Sequence, residues 1–169
     1  MKKVFLTILT FLVLTLGVNS QTSAVLNPVL ISKDTTQQIK NINKICQNIK
    51  NNINSYLKIE IFKDSLSYRN VYLKDNVLQL VKVMYTENNI EKNVDWYFLD
   101  EQLICAESIW ISLETKKAVD NIKCYFNNLH MIAWIDDNKY IDYKSTEFKA
   151  RETQLVDYSK RIWVNAMKK

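Results

Sequence analysis

Three stretches of this chain repeat one pattern, and that pattern dictates β-hairpins. They are Tyr72-Leu73-Lys74-Asp75-Asn76-Val77-Leu78, Tyr97-Phe98-Leu99-Asp100-Glu101-Gln102-Leu103 and Tyr125-Phe126-Asn127-Asn128-Leu129-His130-Met131. Each reads Tyr, then Phe or Leu, one variable residue, Asp or Asn, two more residues, then Leu or Met. An aromatic run feeds a short polar turn, and an apolar run leaves it. Period-two alternation begins at Leu57-Lys58-Ile59-Glu60-Ile61-Phe62 and breaks at Asp64-Ser65. Further turns fit Asn88-Asn89, the stretch Glu114-Thr115-Lys116-Lys117, and Asp136-Asp137-Asn138. The middle of the chain is therefore expected to form an antiparallel β-meander of about seven or eight strands. The only glycine is Gly17 and the only proline Pro28. Beyond them, Asn, Asp and Ser must carry every tight bend.

The flanks of the meander read as helices. Asp34 followed by Gln37 supplies an N-cap and a partner three residues on, and Ile39, Ile42, Ile45, Cys46, Ile49, Ile53 and Tyr56 recur at spacings of three or four. This predicts an amphipathic helix near residues 35–55, with Lys40, Asn41, Lys44, Asn48, Lys50 and Asn51 on a solvated face. A closing helix is expected from about Thr146, with Glu147 in its first turn and Phe148, Leu155, Tyr158, Ile162 and Ala166 down one side. Both helices are expected to bury their stripes on the sheet. The fold class is α+β: helix, meander, helix, in a single domain over residues 34–169.

The N-terminal region has the character of an export signal. Lys2 and Lys3 precede an apolar run from Val4 to Val18, and Asn19-Ser20-Gln21-Thr22-Ser23 closes it. This order predicts a signal peptide over residues 1–20, cleaved after Ser20, and the run is shorter than the roughly 20 residues that span a bilayer. Residues 21–33 then form a loose lead-in. No cysteine precedes Cys46, so lipidation beside the cut is not expected, and the mature chain is expected in a periplasm or outside the cell without a stable membrane anchor. The net charge of +5 falls by two when Lys2 and Lys3 leave. The remaining bases are scattered lysines with arginine only at Arg69, Arg151 and Arg161, a pattern that argues against a nucleic-acid partner. Cys46, Cys105 and Cys124 allow at most one disulfide and lie among apolar residues, so they read as core rather than as a cross-linked scaffold.

The Tyr-Phe-x-Asp/Asn hairpins, together with the leader and the charged C-terminal helix, resemble small uncharacterised secreted bacterial proteins with aromatic hairpin repeats. The resemblance covers roughly residues 70–165. It implies a secreted hairpin protein and no particular chemistry.

Candidates for chemistry are few. His130 is the only histidine and falls at a predicted turn, where a solvent-exposed side chain is expected. There is no Cys-x-x-Cys or His-x-x-x-His, so no zinc site is expected. Asp136, Asn138, Asp142 and Glu147 have the spacing of a calcium loop, but Ile141 stands where glycine is required, so a turn, a short strand and a helix start are expected instead. No cofactor is expected, and a glycine-poor chain offers no phosphate cradle.

Alternation places Val71, Leu73, Trp96, Phe98, Cys124 and Phe126 on one face of the sheet, the core face. Tyr72, Tyr97 and Tyr125 point to the other, with Asn70, Asp95 and Lys123. On alternate strands these tyrosines form a row, either facing a ligand or serving as amphipathic cover beneath a helix. Ile104, Ile132 and Trp134 are apolar on one parity of the return strands while Leu103, Met131 and Ile135 are apolar on the other, so both faces are expected to be partly covered. The functional expectation is an exported, non-catalytic binding protein for an unknown envelope glycan or protein. A small hydrolase using carboxylates such as Glu101, Glu107, Asp136 or Asp137, and a structural envelope component, are the alternatives.

Overall fold

A computed structural model describes residues 34–64 and 66–167. The expected signal peptide and lead-in lie outside the described residues. Helix α1 spans Thr35–Asn52 and a 3-10 turn, Ile53–Ser55, ends it. Its cap is Asp34, whose Oδ1 accepts the Thr36 N–H at 2.9 Å, satisfying a donor that the first helical turn leaves without a partner. Eight strands follow: β1 Leu57–Lys63, β2 Ser67–Lys74, β3 Val77–Glu87, β4 Ile90–Leu99, β5 Gln102–Ser112, β6 Ala118–Asn127, β7 His130–Asp136 and β8 Lys139–Tyr140. Helix α2, Thr146–Met167, closes the order. Ser145 caps it, its Oγ accepting the Phe148 N–H at 3.1 Å.

All eight strands lie in one antiparallel sheet in sequence order. The expected meander is therefore realised, with each strand bonded to its neighbours in the chain. Five of the turns place two consecutive residues at positive φ: Asp75-Asn76, Asn88-Asn89, Asp100-Glu101, Asn128-Leu129 and Asp137-Asn138. Two left-handed residues give the turn whose twist matches that of the flanking strands, a task usually given to glycine. Here Asn or Asp opens every pair, because these side chains tolerate the left-handed region best after glycine.

The sheet is buried on both faces, each by one helix. On one face Ile39, Ile42, Cys46 and Ile49 of α1 pack against Leu80, Tyr97, Ile104, Cys105, Tyr125 and Ala133. On the other, Phe148, Leu155 and Ile162 of α2 pack among Val71, Leu78, Val81, Trp96, Phe98, Leu103, Cys124, Phe126 and Met131.

The mixed parity of the return strands has a specific cause. In all three repeated hairpins the register slips between the tyrosine and the Leu or Phe that follows it: Tyr72 faces Leu80 but Leu73 faces Leu78, Tyr97 faces Cys105 but Phe98 faces Leu103, and Tyr125 faces Ala133 but Phe126 faces Met131. The skipped residues, Gln79, Ile104 and Ile132, are β-bulges. An extra residue shifts the alternation by one. Leu103 thus faces α2, Ile104 and Cys105 both face α1, and Ala106 returns to the α2 side.

Candidate ligand-binding cleft

The three tyrosines that sequence alternation singles out do share the face opposite Val71, Trp96 and Cys124, but that face lies under α1. Tyr97 and Tyr125 are fully buried and Tyr72 is half-buried. Of the two roles alternation leaves open for Tyr72, Tyr97 and Tyr125, a row facing a ligand or cover beneath a helix, their burial is that of cover: the stripe of α1 needs an apolar surface, and the rings supply it. The hydroxyls of Tyr97 and Tyr125 are held by polar partners at the helix–sheet boundary. The Tyr125 hydroxyl donates to Asn43 Oδ1 at 3.0 Å, and the Tyr97 hydroxyl lies 3.2 Å from Asp95 Oδ2 and 3.4 Å from Glu107 Oε2. Burial raises the pKa of all three tyrosines, and for Tyr97 the Asp95 and Glu107 charges add to the effect.

Glu107 is the centre of this boundary. Lys50 from α1 donates to its Oε2 at 2.6 Å and Lys123 lies 3.0 Å from its Oε1. Burial alone would raise the Glu107 carboxyl, yet the hydrogen bonds and charges of the two lysines outweigh it and hold the pKa below the usual glutamate range. Lys123 is raised in return, because Glu107 outweighs its burial. Glu107 therefore joins α1 to β5 and β6 and is not free for acid–base work.

The other carboxylates named as catalytic candidates lie at two separate places. Glu101 sits exposed in a hairpin turn. Asp136 and Asp137 gather with Asp120, their carboxylate oxygens within 4.8 Å of one another, at the β6–β7 side of the sheet. Burial, followed by the neighbouring Asp136 and Asp137, raises the Asp120 pKa. His130 opens β7 at the tip of its hairpin, exposed, with Nδ1 3.5 Å from Glu152. The run from Asp136 to Glu147 folds as a turn, the strand β8, a turn held by Asp142 and the start of α2, and does not wrap one point.

A cleft opens on the other face, between α2 and the ends of β2–β5 remote from the Tyr-Phe turns. It encloses about 470 Å³, a size suited to a small ligand. Sheet register builds its floor in rows that run across the strands. Arg69, Val83, Val94 and Ser108 are successive partners, and so are Ser67, Tyr85, Lys92 and Trp110. Arg151, Gln154, Leu155 and Tyr158 from α2 form the opposite wall.

Aromatic and guanidinium groups interlock here. The Trp96 and Tyr158 rings meet edge to face, their centroids 4.7 Å apart, and Arg69 Nη2 donates to the Tyr158 hydroxyl at 3.3 Å. The Trp110 indole N–H donates to Ser108 Oγ at 2.8 Å, which fixes the ring across the floor. Lys92 lies over both Trp110 and Tyr85 and is paired with Glu87 at 2.5 Å. Arg151 donates to Gln154 Oε1 at 3.2 Å and stands beside Cys124, whose thiol burial pushes up to about 11 even though Arg151 pulls it down. Among the described residues, no aspartate, glutamate, histidine or cysteine lines it.

Sequence reading by alternation and periodicity passes over this cleft, yet the sequence does carry a mark of it. Arg69 shares the parity of Val71 and Leu73, and Ser108 that of Ala106, so both are polar residues on the core side of a strand. Arg151 interrupts the apolar stripe of α2 between Phe148 and Leu155 in the same way. No family model, curated protein or solved structure matches this chain.

Proposed function

We propose that the chain is an exported, non-catalytic binding protein that takes its ligand in the cleft between α2 and the sheet. The observation that carries this is the composition of the cleft: rings and arginines, with no carboxylate, imidazole or thiol in the lining to transfer a proton or attack a bond. A cleft of this kind holds and orients a ligand. The covered tyrosine face moves the recognition surface for an envelope glycan or protein component from the α1 side to the α2 side. Export follows from the basic, apolar and polar order of residues 1–23. Among the described residues no helix is long and apolar enough to cross a membrane.

The test uses the exported chain and its variants Trp110→Ala and Tyr158→Ala, which remove cleft rings, with Tyr140→Ala on exposed β8 as control. Capture of an envelope component by the wild type and by Tyr140→Ala, and its loss in both cleft variants at unchanged circular dichroism, is the expected result. Equal capture by all four proteins would refute the cleft as the binding surface. Mass spectrometry of the same exported sample should place the mature N-terminus near Gln21, and an uncut leader would refute the export reading.

A further inference from the structure

We propose that the cleft takes a free monocarboxylate with an apolar body, its carboxylate drawn to the two guanidinium groups of the lining, Arg69 beside Tyr158 and Arg151 beside Trp134. The inference rests on the binding reading above and assigns the cleft a small molecule in place of a glycan or protein.

Charge within the cleft is uncompensated. The lysines near carboxylates elsewhere on the sheet and on α1 are paired: Lys50 and Lys123 with Glu107, Lys82 with Asp95, Lys92 with Glu87. Arg69 and Arg151, both half-buried, form no ion pair among the described residues. Two guanidinium groups facing one concave, aromatic space without a counter-charge are partly desolvated, and an anion arriving there gains charge-assisted hydrogen bonds.

Hydrogen-bond supply points the same way. Arg69 Nε, Arg151 Nε and Trp96 Nε1 are buried donors without an acceptor among the described residues. Three acceptors of the lining, Tyr158 Oη, Gln154 Oε1 and Ser108 Oγ, already receive Arg69, Arg151 and Trp110. The buried lining atoms left without a partner among the described residues are all donors, so the missing partner is an acceptor. A carboxylate brings two acceptor oxygens in the planar fork that guanidinium groups match. Choice of residue supports this: the chain uses arginine at only three positions, against a large excess of lysine, and two of the three line this cleft.

The rest of the lining sets the body of the ligand. Val83, Val94 and Leu155 with the Trp96 and Trp110 rings make an apolar floor and wall, and about 470 Å³ accommodates a small molecule rather than a folded partner. Asp120 and Asp136 stand in register beyond Trp110 and Ile122, on β6 and β7 and outside the lining, and with Asp137 they repel further negative charge on that side. One anionic group, placed toward Arg69, fits this field better than a polyanion.

Three probes with one chain and three head groups separate the possibilities: decanoate, decanol and decyltrimethylammonium, each titrated into the full exported chain by calorimetry and followed by tryptophan fluorescence. Decanoate should bind saturably and shift the emission, about tenfold or more tighter than decanol, and the cation should bind least. In Arg69→Gln with Arg151→Gln the preference for decanoate over decanol should vanish, and Arg69→Lys, which keeps the charge and the fold but loses the planar fork, should recover part of it. Equal binding of decanoate and decanol would overturn the proposal while leaving the cleft a binding site. A preference that survives the double substitution would overturn it as well. Association with phosphatidylglycerol vesicles without binding of free decanoate would assign the arginines to a membrane surface and overturn it. If no probe binds while Trp110→Ala still abolishes capture of an envelope component, the ligand chemistry is wrong and the binding reading stands.

Discussion

Glu101 sits at φ 64 as the second of two left-handed residues in the β4–β5 turn, where its Cβ is crowded and its exposed side chain makes no hydrogen bond or ion pair among the described residues. A left-handed L-residue costs on the order of 1–2 kcal/mol, part of which glycine returns as greater freedom of the unfolded chain. Glu101→Gly should therefore stabilise the protein by about 0.5–1 kcal/mol and raise the melting temperature by roughly 2–4 °C. A fall in melting temperature would mean that the turn is not limited by its backbone. Glu107 gives a prediction of the opposite kind. Its folded pKa is lowered, so its contribution is complete above the unfolded pKa near 4.5 and is lost as pH falls through the folded value. Glu107→Gln should destabilise the protein by about 2 kcal/mol at pH 7 and flatten the acid side of its stability profile below pH ~4.5, where wild type and variant should converge. Parallel profiles at all pH values would show that Lys50 and Lys123 do not stabilise the ionised form.

At the scale of elements, α1 is fixed by a stripe that meets aromatic rings rather than a solvent-facing sheet. Ile42 is fully buried in the centre of that stripe. Ile42→Ala removes its packing and leaves a cavity between α1 and the sheet, so a loss of about 2–5 kcal/mol is expected by denaturant unfolding. A loss below about 1 kcal/mol would mean that α1 rests only loosely on the tyrosines. Sequence periodicity located this helix to within a few residues because a stripe at three and four is a local signal. It located the outgoing strands and the face of each tyrosine for the same reason. What it left open was whether the tyrosine face is covered, since the period of α1 specifies that it has a buried side and not which surface receives it. The return strands were harder still. Ile104 and Ile132 are bulged, and a bulge reverses parity without changing composition, so apolar residues on both parities look ambiguous until pairing is known.

In the whole molecule, one sheet separates two unlike environments. On the α1 side Lys50, Lys123 and Tyr97 gather around Glu107 and close a polar boundary. On the α2 side Arg69 and Arg151 have no ionic partner among the described residues and border a cleft. The candidate site was the least legible part of the sequence, because it is assembled from five strands and a helix widely separated along the chain. Its arginines, taken one at a time, read as scattered surface charge. Only register brings Arg69 beside Val83, Val94 and Ser108, and only the docking of α2 closes the space above them.

The bulge shared by the three Tyr-Phe hairpins makes them interchangeable in one respect. Each hairpin leaves the turn with the faces with which it enters, because paired residues share a face and each absorbs its extra residue at the same point, one position past the partner of Leu73, Phe98 or Phe126. A gene encoding such a chain can gain or lose a whole hairpin while the remaining strands keep their assignment to one helix or the other. Regular pairing of the same residues, with the bulge lost and its residue retained, would by contrast invert the faces of everything beyond it. Length variation among chains built on this plan should therefore come in whole hairpins.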